Sequence, residues 1–166
     1  MKKVSIHTGF AILLFILGFM SNQIFVDFSV SLLDIEGIYI VTYSMRSHFI
    51  ESLIFGAALG IIPFILLIVS KVNRSLSGFQ HNFLIPVGLI ALGGCISWLA
   101  RVLVLNYQIK KIKSFRTGES METSLAFEIL NFSSYLLFGF VLGGIISILI
   151  LKKPAAKKLN TKDDIV

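Results

Sequence analysis

The sequence predicts an all-α integral membrane protein, built as a bundle of four transmembrane helices with short loops. Three observations lead to this fold class. Of the 166 residues, 55% are hydrophobic and only 14% are charged, whereas a soluble domain carries roughly a quarter charged residues. The apolar residues gather into four runs, each close to the ~20 residues that a helix needs to cross ~30 Å of hydrocarbon. Four spans would place the two termini and the second loop on one side of the membrane and the other two loops on the opposite side. Lysine and arginine are divided unequally between these two sides.

The four spans are predicted at about 4–26, 52–70, 83–107 and 131–151. Lys2 and Lys3 precede the first span, as in a secretory signal peptide. However, Ser21-Asn22-Gln23 is no small-x-small cleavage site, and apolar residues resume at Ile24. We therefore expect an uncleaved first helix. Spans and short loops use up the chain, so 1–166 is a single membrane domain, and 152–166 is its basic tail.

The orientation follows from the positive residues. Nine lysines and arginines lie on the side of the two termini, and six lie on the opposite side. Seven of the nine acidic residues lie on that opposite side, which sharpens the contrast. Because positive residues stay in the cytoplasm, we expect both termini to be cytoplasmic and the protein to reside in the cytoplasmic (inner) membrane. The net charge of +6 is then explained by membrane topology, and no nucleic-acid partner is expected.

The loops give weaker patterns. Residues 37–43 are rich in β-branched and aromatic side chains, which favours a short strand, although no partner strand is evident. The basic segment 108–117 lies on the non-cytoplasmic side, against the charge rule. There the third helix either projects beyond the bilayer or bends to lie on it. Gly118 is expected to end this helix, and Ser120 or Thr123 to cap the next one.

Three ionisable residues are predicted to meet at the outer interface. Counted from the cytoplasmic ends of their spans, Arg101 and Glu51 each lie 19 residues away, or roughly 28 Å. Glu128 lies about one helical turn further out. The structural interpretation is that Arg101 pairs with Glu51 or Glu128. The alternative is a small polar site for an ion or a ligand headgroup.

Small residues spaced four apart predict close helix contacts near the middle of the bilayer. Lipid gives helices no hydrophobic reason to associate, so an exposed backbone groove favours packing. Such pairs occur in the second, third and fourth spans, namely Gly56 and Gly60, Ala91 and Cys95, and Gly139 and Gly143. We expect them to pack within one bundle, although one of the faces could instead serve a partner subunit.

The sequence shows no motif for catalysis or for a bound cofactor. His7 and His81 fall near the cytoplasmic boundary and His48 falls outside the membrane, which argues against a haem held between helices. The lone cysteine, Cys95, forms no internal disulfide. We predict no catalytic residues, no metal site and no cofactor.

Two further classes of function stay open beside the one we favour. We expect a non-catalytic membrane protein that packs against, regulates or protects another membrane component, with the lipid bilayer and either a membrane protein or further copies as partners. Its size and layout are similar to those of small four-span immunity proteins against channel-forming bacteriocins, without a shared residue motif. The alternatives are a small oligomeric channel or carrier, and a lipid enzyme that uses Glu51, Arg101 and Glu128.

Overall fold

The structure, a computed structural model, describes the backbone of residues 2–34, 38–41, 45–76, 84–115 and 123–159. Side chains are described for 5–34, 40–41, 45–72, 84–112 and 125–150. The chain forms four long helices, two short strands and one 3₁₀ turn. The helices and strands, in chain order, are α1 (Lys2–Ser31), β1 (Ile38–Val41), α2 (Met45–Leu76), α3 (Leu84–Phe115), β2 (Thr123–Ala126) and α4 (Phe132–Leu159), with the 3₁₀ turn at Phe127–Ile129.

The four helices are long and apolar enough to cross a membrane, which confirms the prediction of an all-helical protein with four helices of this kind. The apolar stretches run over Ser5–Ser31, Met45–Val72, Leu84–Ile112 and Phe127–Ile150. Every helix extends beyond its predicted span because polar residues at the ends stay helical. Thus α3 continues to Phe115, through most of the basic segment, and α4 takes the beginning of the basic tail into its last turns, ending at Leu159.

The helices pack in the spatial order α1, α2, α4, α3. Extensive contacts join α1 to α2, α2 to α4, and α4 to α3. We call the end of the bundle that carries β1 and β2 the sheet end, and the end formed by the starts of α1 and α3 the termini end. At the sheet end α1 also meets α3, because Trp98 stacks on Phe28 at 5.8 Å between ring centroids. Side chains close the ring of four helices there.

A two-stranded parallel sheet joins the two loops at the sheet end. β1 pairs with β2 in a register that sets Ile38 against Thr123 and Val41 against Ala126. The strand predicted in the first loop thus has a partner in the third loop, which the sequence did not reveal because 82 residues separate Val41 from Thr123. The capping role predicted for Thr123 is wrong, since Thr123 begins β2. Gly118 and Ser120 lie outside the described residues.

The interior contains two apolar clusters. The larger lies near the sheet end and the smaller lies between α2, α3 and α4, and Phe25 and Trp98 pack against both. Large apolar side chains are also exposed along all four helices. This outward exposure is expected where lipid surrounds the protein, since lipid tails are as apolar as the core. The members of the larger cluster are Val26, Leu33, Val102, Leu105, Ile109, Leu125, Phe127, Leu130 and Phe132.

Candidate functional site: a polar clamp at the sheet end

The polar residues at the sheet end surround a break in the backbone just before α4. The 3₁₀ turn ends at Ile129, and Asn131 then adopts a left-handed conformation with φ of 49°. Such a break leaves backbone carbonyls and N–H groups without helical partners. Near a membrane these groups must be satisfied by the protein itself, because each unpaired one costs several kcal/mol.

Arg101 satisfies the carbonyls. This residue, on α3, is 9% exposed. Nε donates to the carbonyl oxygen of Leu130 at 3.0 Å, and Nη2 donates to the carbonyl oxygen of Ile129. The guanidinium also lies over the ring of Tyr135, 5.1 Å from its centroid, in a cation–π arrangement. Arg101 thereby fastens α3 to the start of α4.

Glu51 satisfies a backbone N–H group at the start of α4. It lies on α2 and is 7% exposed. One carboxylate oxygen accepts a hydrogen bond from the backbone N–H of Ser133, in the first turn of α4, at 3.2 Å. A residue from another helix thus fills the role that an N-cap side chain usually has. The negative charge also lies at the positive end of the α4 dipole.

The predicted ion pair of Arg101 with a glutamate is wrong in its partners. Among the described residues, neither Glu51 nor Glu128 bonds to the guanidinium, which takes backbone carbonyls instead. Glu128 accepts a hydrogen bond from the hydroxyl of Ser47, on α2, at 2.6 Å. All three predicted residues nevertheless lie at the same junction: Arg101 and Glu51 bond to its backbone, and Glu128, within the 3₁₀ turn, bonds to α2. The physical reason is that the break before α4 creates acceptors and donors that a continuous helix would not have.

A hydrogen-bond network extends from this clamp into the bundle. The amide of Asn22, on α1, donates to Ser52 Oγ at 3.1 Å and accepts from Ser133 Oγ at 3.4 Å. Asn22 and Ser133 are both fully buried. Three helices are therefore linked through one asparagine side chain. Sequence analysis missed Asn22, although its spacing of seven from Ser29 places both on one helix face.

Two further side chains join α1 to α3. The indole N–H of Trp98 donates to Ser29 Oγ at 3.0 Å. Asn106 binds the end of α1, since its Oδ1 accepts from the N–H of Asp34 at 2.9 Å and its Nδ2 donates to the carbonyl of Leu32 at 3.1 Å. Two helix ends near the sheet, the end of α1 and the start of α4, are thus bonded by a side chain of another helix.

The predicted glycines lie at helix contacts, where an added Cβ would meet atoms of a neighbouring helix. At Gly56 the Cβ would lie 2.9 Å from the carbonyl oxygen of Phe15, and at Gly60 it would lie 3.2 Å from that of Ala11, both on α1. At Gly143 the Cβ would lie 2.5 Å from the carbonyl oxygen of Leu89, on α3.

The other members of the small-residue set differ in their surroundings: Gly139, on α4, contacts α3, whereas Ala91 and Cys95, on α3, do not contact α4. A Cβ on Gly139 would collide with the carbonyl of Gly93, so α3 and α4 approach through their backbones. Ala91 and Cys95, in contrast, are exposed. The packing predicted for that pair is wrong within the described chain, because Gly93 and Ser97, on another side of α3, face α4 instead.

Within the described residues, this arrangement binds backbone rather than presenting reactive groups. No group of three or more histidine, cysteine, aspartate or glutamate residues there could hold a metal ion. His48 lies against Phe127, with ring centroids 4.1 Å apart, and His81 is outside the described residues. The buried charges of Glu51 and Arg101 both end on the junction before α4.

Comparisons with protein-family models, with curated proteins and with solved structures gave no match to this chain.

Proposed function

We propose that this chain is a non-catalytic protein of the cytoplasmic membrane that binds another membrane protein, as an accessory subunit or a protective partner. One observation carries the proposal. Ionisable residues within the membrane usually mark a site of transport or chemistry, but here the buried Glu51 and Arg101 bind the backbone of their own chain. Their charges serve to complete the bundle, and this favours a structural role over a carrier or a lipid enzyme.

The surface that we assign to the partner is the exposed small-residue face of α3. Gly88, Ala91 and Cys95 fall on one side of the helix by their spacing of three and four. Ala91 and Cys95 are exposed, and a Cβ on Gly88 would meet no atom within 4 Å. On another side of the same helix, Gly93 is in close contact with α4. Small residues allow the close backbone approach on which helix association in lipid depends, and Ala91 and Cys95 on this second face remain exposed in the part of the chain that the structure describes.

Photocrosslinking in intact membranes tests the proposal. A photoreactive phenylalanine analogue is placed at Leu99, an exposed large residue four positions after Cys95 on α3, and in a second variant at Leu149, an exposed position on α4. We expect a protein adduct of one defined mass at Leu99 and none at Leu149. Adducts at neither position, or equal adducts at both, would contradict a partner on this face.

Disulfide crosslinking through the lone cysteine, Cys95, tests whether the partner is a second copy of this chain. If two copies dock through this face, mild oxidation in the membrane joins them through Cys95. The control carries Cys95→Ala together with Ile96→Cys, which moves the thiol to an adjacent exposed position. A dimer with Cys95 and none with the control identifies a homo-oligomer. A Leu99 adduct of a different mass without this dimer identifies a different protein.

We also propose that both termini are cytoplasmic and that the sheet end faces away from the cytoplasm. Nine of the fifteen lysines and arginines lie on the side of the termini, five of them in the tail, which agrees with the retention of positive charge in the cytoplasm. A cysteine introduced near Lys158 on a Cys95→Ala background tests the orientation. It should resist an impermeant thiol reagent in intact cells and react after the cells are opened.

A further inference from the structure

An apolar groove runs between α1 and α2, in the half of the bundle nearer the termini end. Its volume is about 430 Å³, within the ~300–1,000 Å³ of typical ligand pockets. The small residues of α2 leave the space open, and apart from Thr8 the residues that line it are apolar. The lining includes Ala11, Ile12 and Phe15 of α1 and Ala57, Gly60 and Phe64 of α2.

The groove lies at the height of the lipid tails. The apolar stretch of α1 begins at Ser5. Thr8 and Phe15 lie three and ten residues further along, or roughly 5 and 15 Å inside the hydrocarbon. Because the hydrocarbon core is ~30 Å thick, the groove extends through one leaflet as far as the midplane. An acyl chain of that leaflet can enter the groove without leaving the membrane.

The two lysines at the start of α1 lie at headgroup height. Lys2 and Lys3 are the first residues of α1, three and two residues before Ser5, or roughly 3–5 Å beyond the hydrocarbon. The headgroup layer is ~5–8 Å thick on each side, since the whole bilayer measures ~40–45 Å and its hydrocarbon core ~30 Å. Both lysines therefore lie in the headgroup layer next to the groove.

Lys71 brings a third charge to the same height from α2. Gly60 lies against Ala11, since a Cβ added to Gly60 would be 3.2 Å from the carbonyl oxygen of Ala11. Counted from this contact towards the termini end, Lys71 is 11 residues away, or roughly 16 Å, and Ser5 is six residues away, or roughly 9 Å. Lys71 therefore lies roughly 7 Å beyond Ser5, within the headgroup layer, and it is exposed.

No acidic residue of the same two helices offsets these charges in this half of the bundle. The carboxylates of α1 and α2 are Asp27 and Glu51, which both lie in the half nearer the sheet end. On the side of the termini as a whole, nine lysines and arginines stand against two acidic residues. Lysines at a membrane surface attract anionic lipids, by roughly fivefold in affinity for each lysine. The charge at the mouth of the groove therefore selects an anionic headgroup.

We propose that the groove between α1 and α2 binds one anionic phospholipid, with an acyl chain against Gly60 and the phosphate among the three lysines. A zwitterionic lipid can place the same chain in the groove, but its headgroup carries a cation of its own and gains little from the lysines. The site does not depend on which side of the membrane the termini face. It involves α1 and α2, whereas the partner face is on α3, so the two proposals can fail independently.

The test uses the full chain in maltoside micelles that contain phosphatidylglycerol with a photoreactive group in the middle of one acyl chain. Matched phosphatidylcholine serves as the zwitterionic control, and labelled residues are located by mass spectrometry. We expect label within 8–15 and 57–64, and labelling by phosphatidylcholine that is weaker by roughly fivefold or more, the factor for one lysine or several. Equal labelling by the two lipids, or label that falls elsewhere, overturns the proposal.

A variant that fills the groove tests the contact with the acyl chain. Ala57→Phe places a ring in the groove from an exposed position and should abolish the labelling of 8–15 by phosphatidylglycerol. Ala100→Phe adds the same ring at an exposed position on α3 and should leave that labelling unchanged. Undiminished labelling of 8–15 in Ala57→Phe would show that the chain lies outside the groove.

Charge variants test the headgroup contact. The triple variant with glutamine at Lys2, Lys3 and Lys71 should lose the preference for phosphatidylglycerol, and the triple arginine variant should keep it. Lys110→Gln removes an exposed lysine at the sheet end and should leave the preference unchanged. Loss of the preference with Lys110→Gln as well would show a general charge effect and contradict the site. If the triple glutamine variant does not fold, the lipid comparison on the unaltered protein decides.

Discussion

Glycine-to-alanine substitutions on α3 give the sharpest test of the packing described above. At Gly93 an added Cβ would lie 2.5 Å from the carbonyl oxygen of Gly139 and 2.9 Å from the Cα of Gly143. Both are backbone atoms of α4, so neither can rotate away. At Gly88, five residues earlier on the same helix, the added Cβ would meet nothing within 4 Å.

Gly88→Ala and Gly93→Ala gain the same helix propensity. They differ in whether the added Cβ overpacks the contact between α3 and α4. Replacing glycine by alanine in a helix stabilises it by about 1 kcal/mol. Overpacking a tight interior costs typically ~1–3 kcal/mol. We therefore expect Gly88→Ala to stabilise the protein by up to ~1 kcal/mol, and Gly93→Ala to be less stable than Gly88→Ala by the ~1–3 kcal/mol of overpacking. Gly60→Ala should fall between them, because its Cβ would lie 3.2 Å from its nearest neighbours.

The measurement is the unfolding free energy of each variant in one detergent, from denaturant titration followed through Trp98 fluorescence. The order Gly88→Ala, Gly60→Ala, Gly93→Ala, from most to least stable, is the expected result. If Gly93→Ala is as stable as Gly88→Ala, then α3 and α4 do not approach through their backbones, and the steric argument is refuted.

Three further predictions concern the polar clamp and the α1–α3 contact, each read out by the same unfolding measurement. Arg101→Leu should cost ~1–3 kcal/mol for each buried carbonyl left unpaired at Ile129 and Leu130, and Arg101→Lys should cost less; equal losses would contradict this role. Glu51→Gln keeps an acceptor for Ser133 and should lose only ~0.3–1 kcal/mol of helix-dipole stabilisation, whereas Glu51→Leu should lose ~1–3 kcal/mol; a larger loss for the glutamine would argue for a different use of the carboxylate. Trp98→Phe and Ser29→Ala should show a coupling of ~0.5–1.5 kcal/mol in a double-mutant cycle, and additive effects would mean that their hydrogen bond contributes nothing.

Most of the bundle was predictable because a membrane leaves few choices. Only helices and closed barrels satisfy every backbone group in hydrocarbon, so four long apolar runs lead directly to four helices. The heights of Glu51, Arg101 and Glu128 were also predictable, since helical rise converts residue number into distance. That is why three residues from distant parts of the chain were expected at one end of the bundle, and the structure places all three around one junction.

The partners of these residues were not predictable from the sequence. Arg101 was assigned a carboxylate because opposite charges attract, yet it binds two carbonyls that exist as free acceptors only because the backbone breaks at Asn131. Asn22 was overlooked because the polar run Ser21-Asn22-Gln23 does not show which of its side chains faces the interior. Its importance comes from Ser52 and Ser133, which lie 30 and 111 residues away in the chain.

The sequence by itself determined the number of helices, their approximate bounds and the end of the bundle at which Glu51, Arg101 and Glu128 lie. These properties depend on local composition and on the constant rise of a helix. Only the tertiary structure decided which face of each helix is buried. In a soluble protein the polar face of a helix shows its orientation, but lipid and core are equally apolar, so hydropathy does not distinguish them. For this reason Ala91 and Gly93, two residues apart, looked alike in the sequence, and only packing separated the exposed residue from the buried contact.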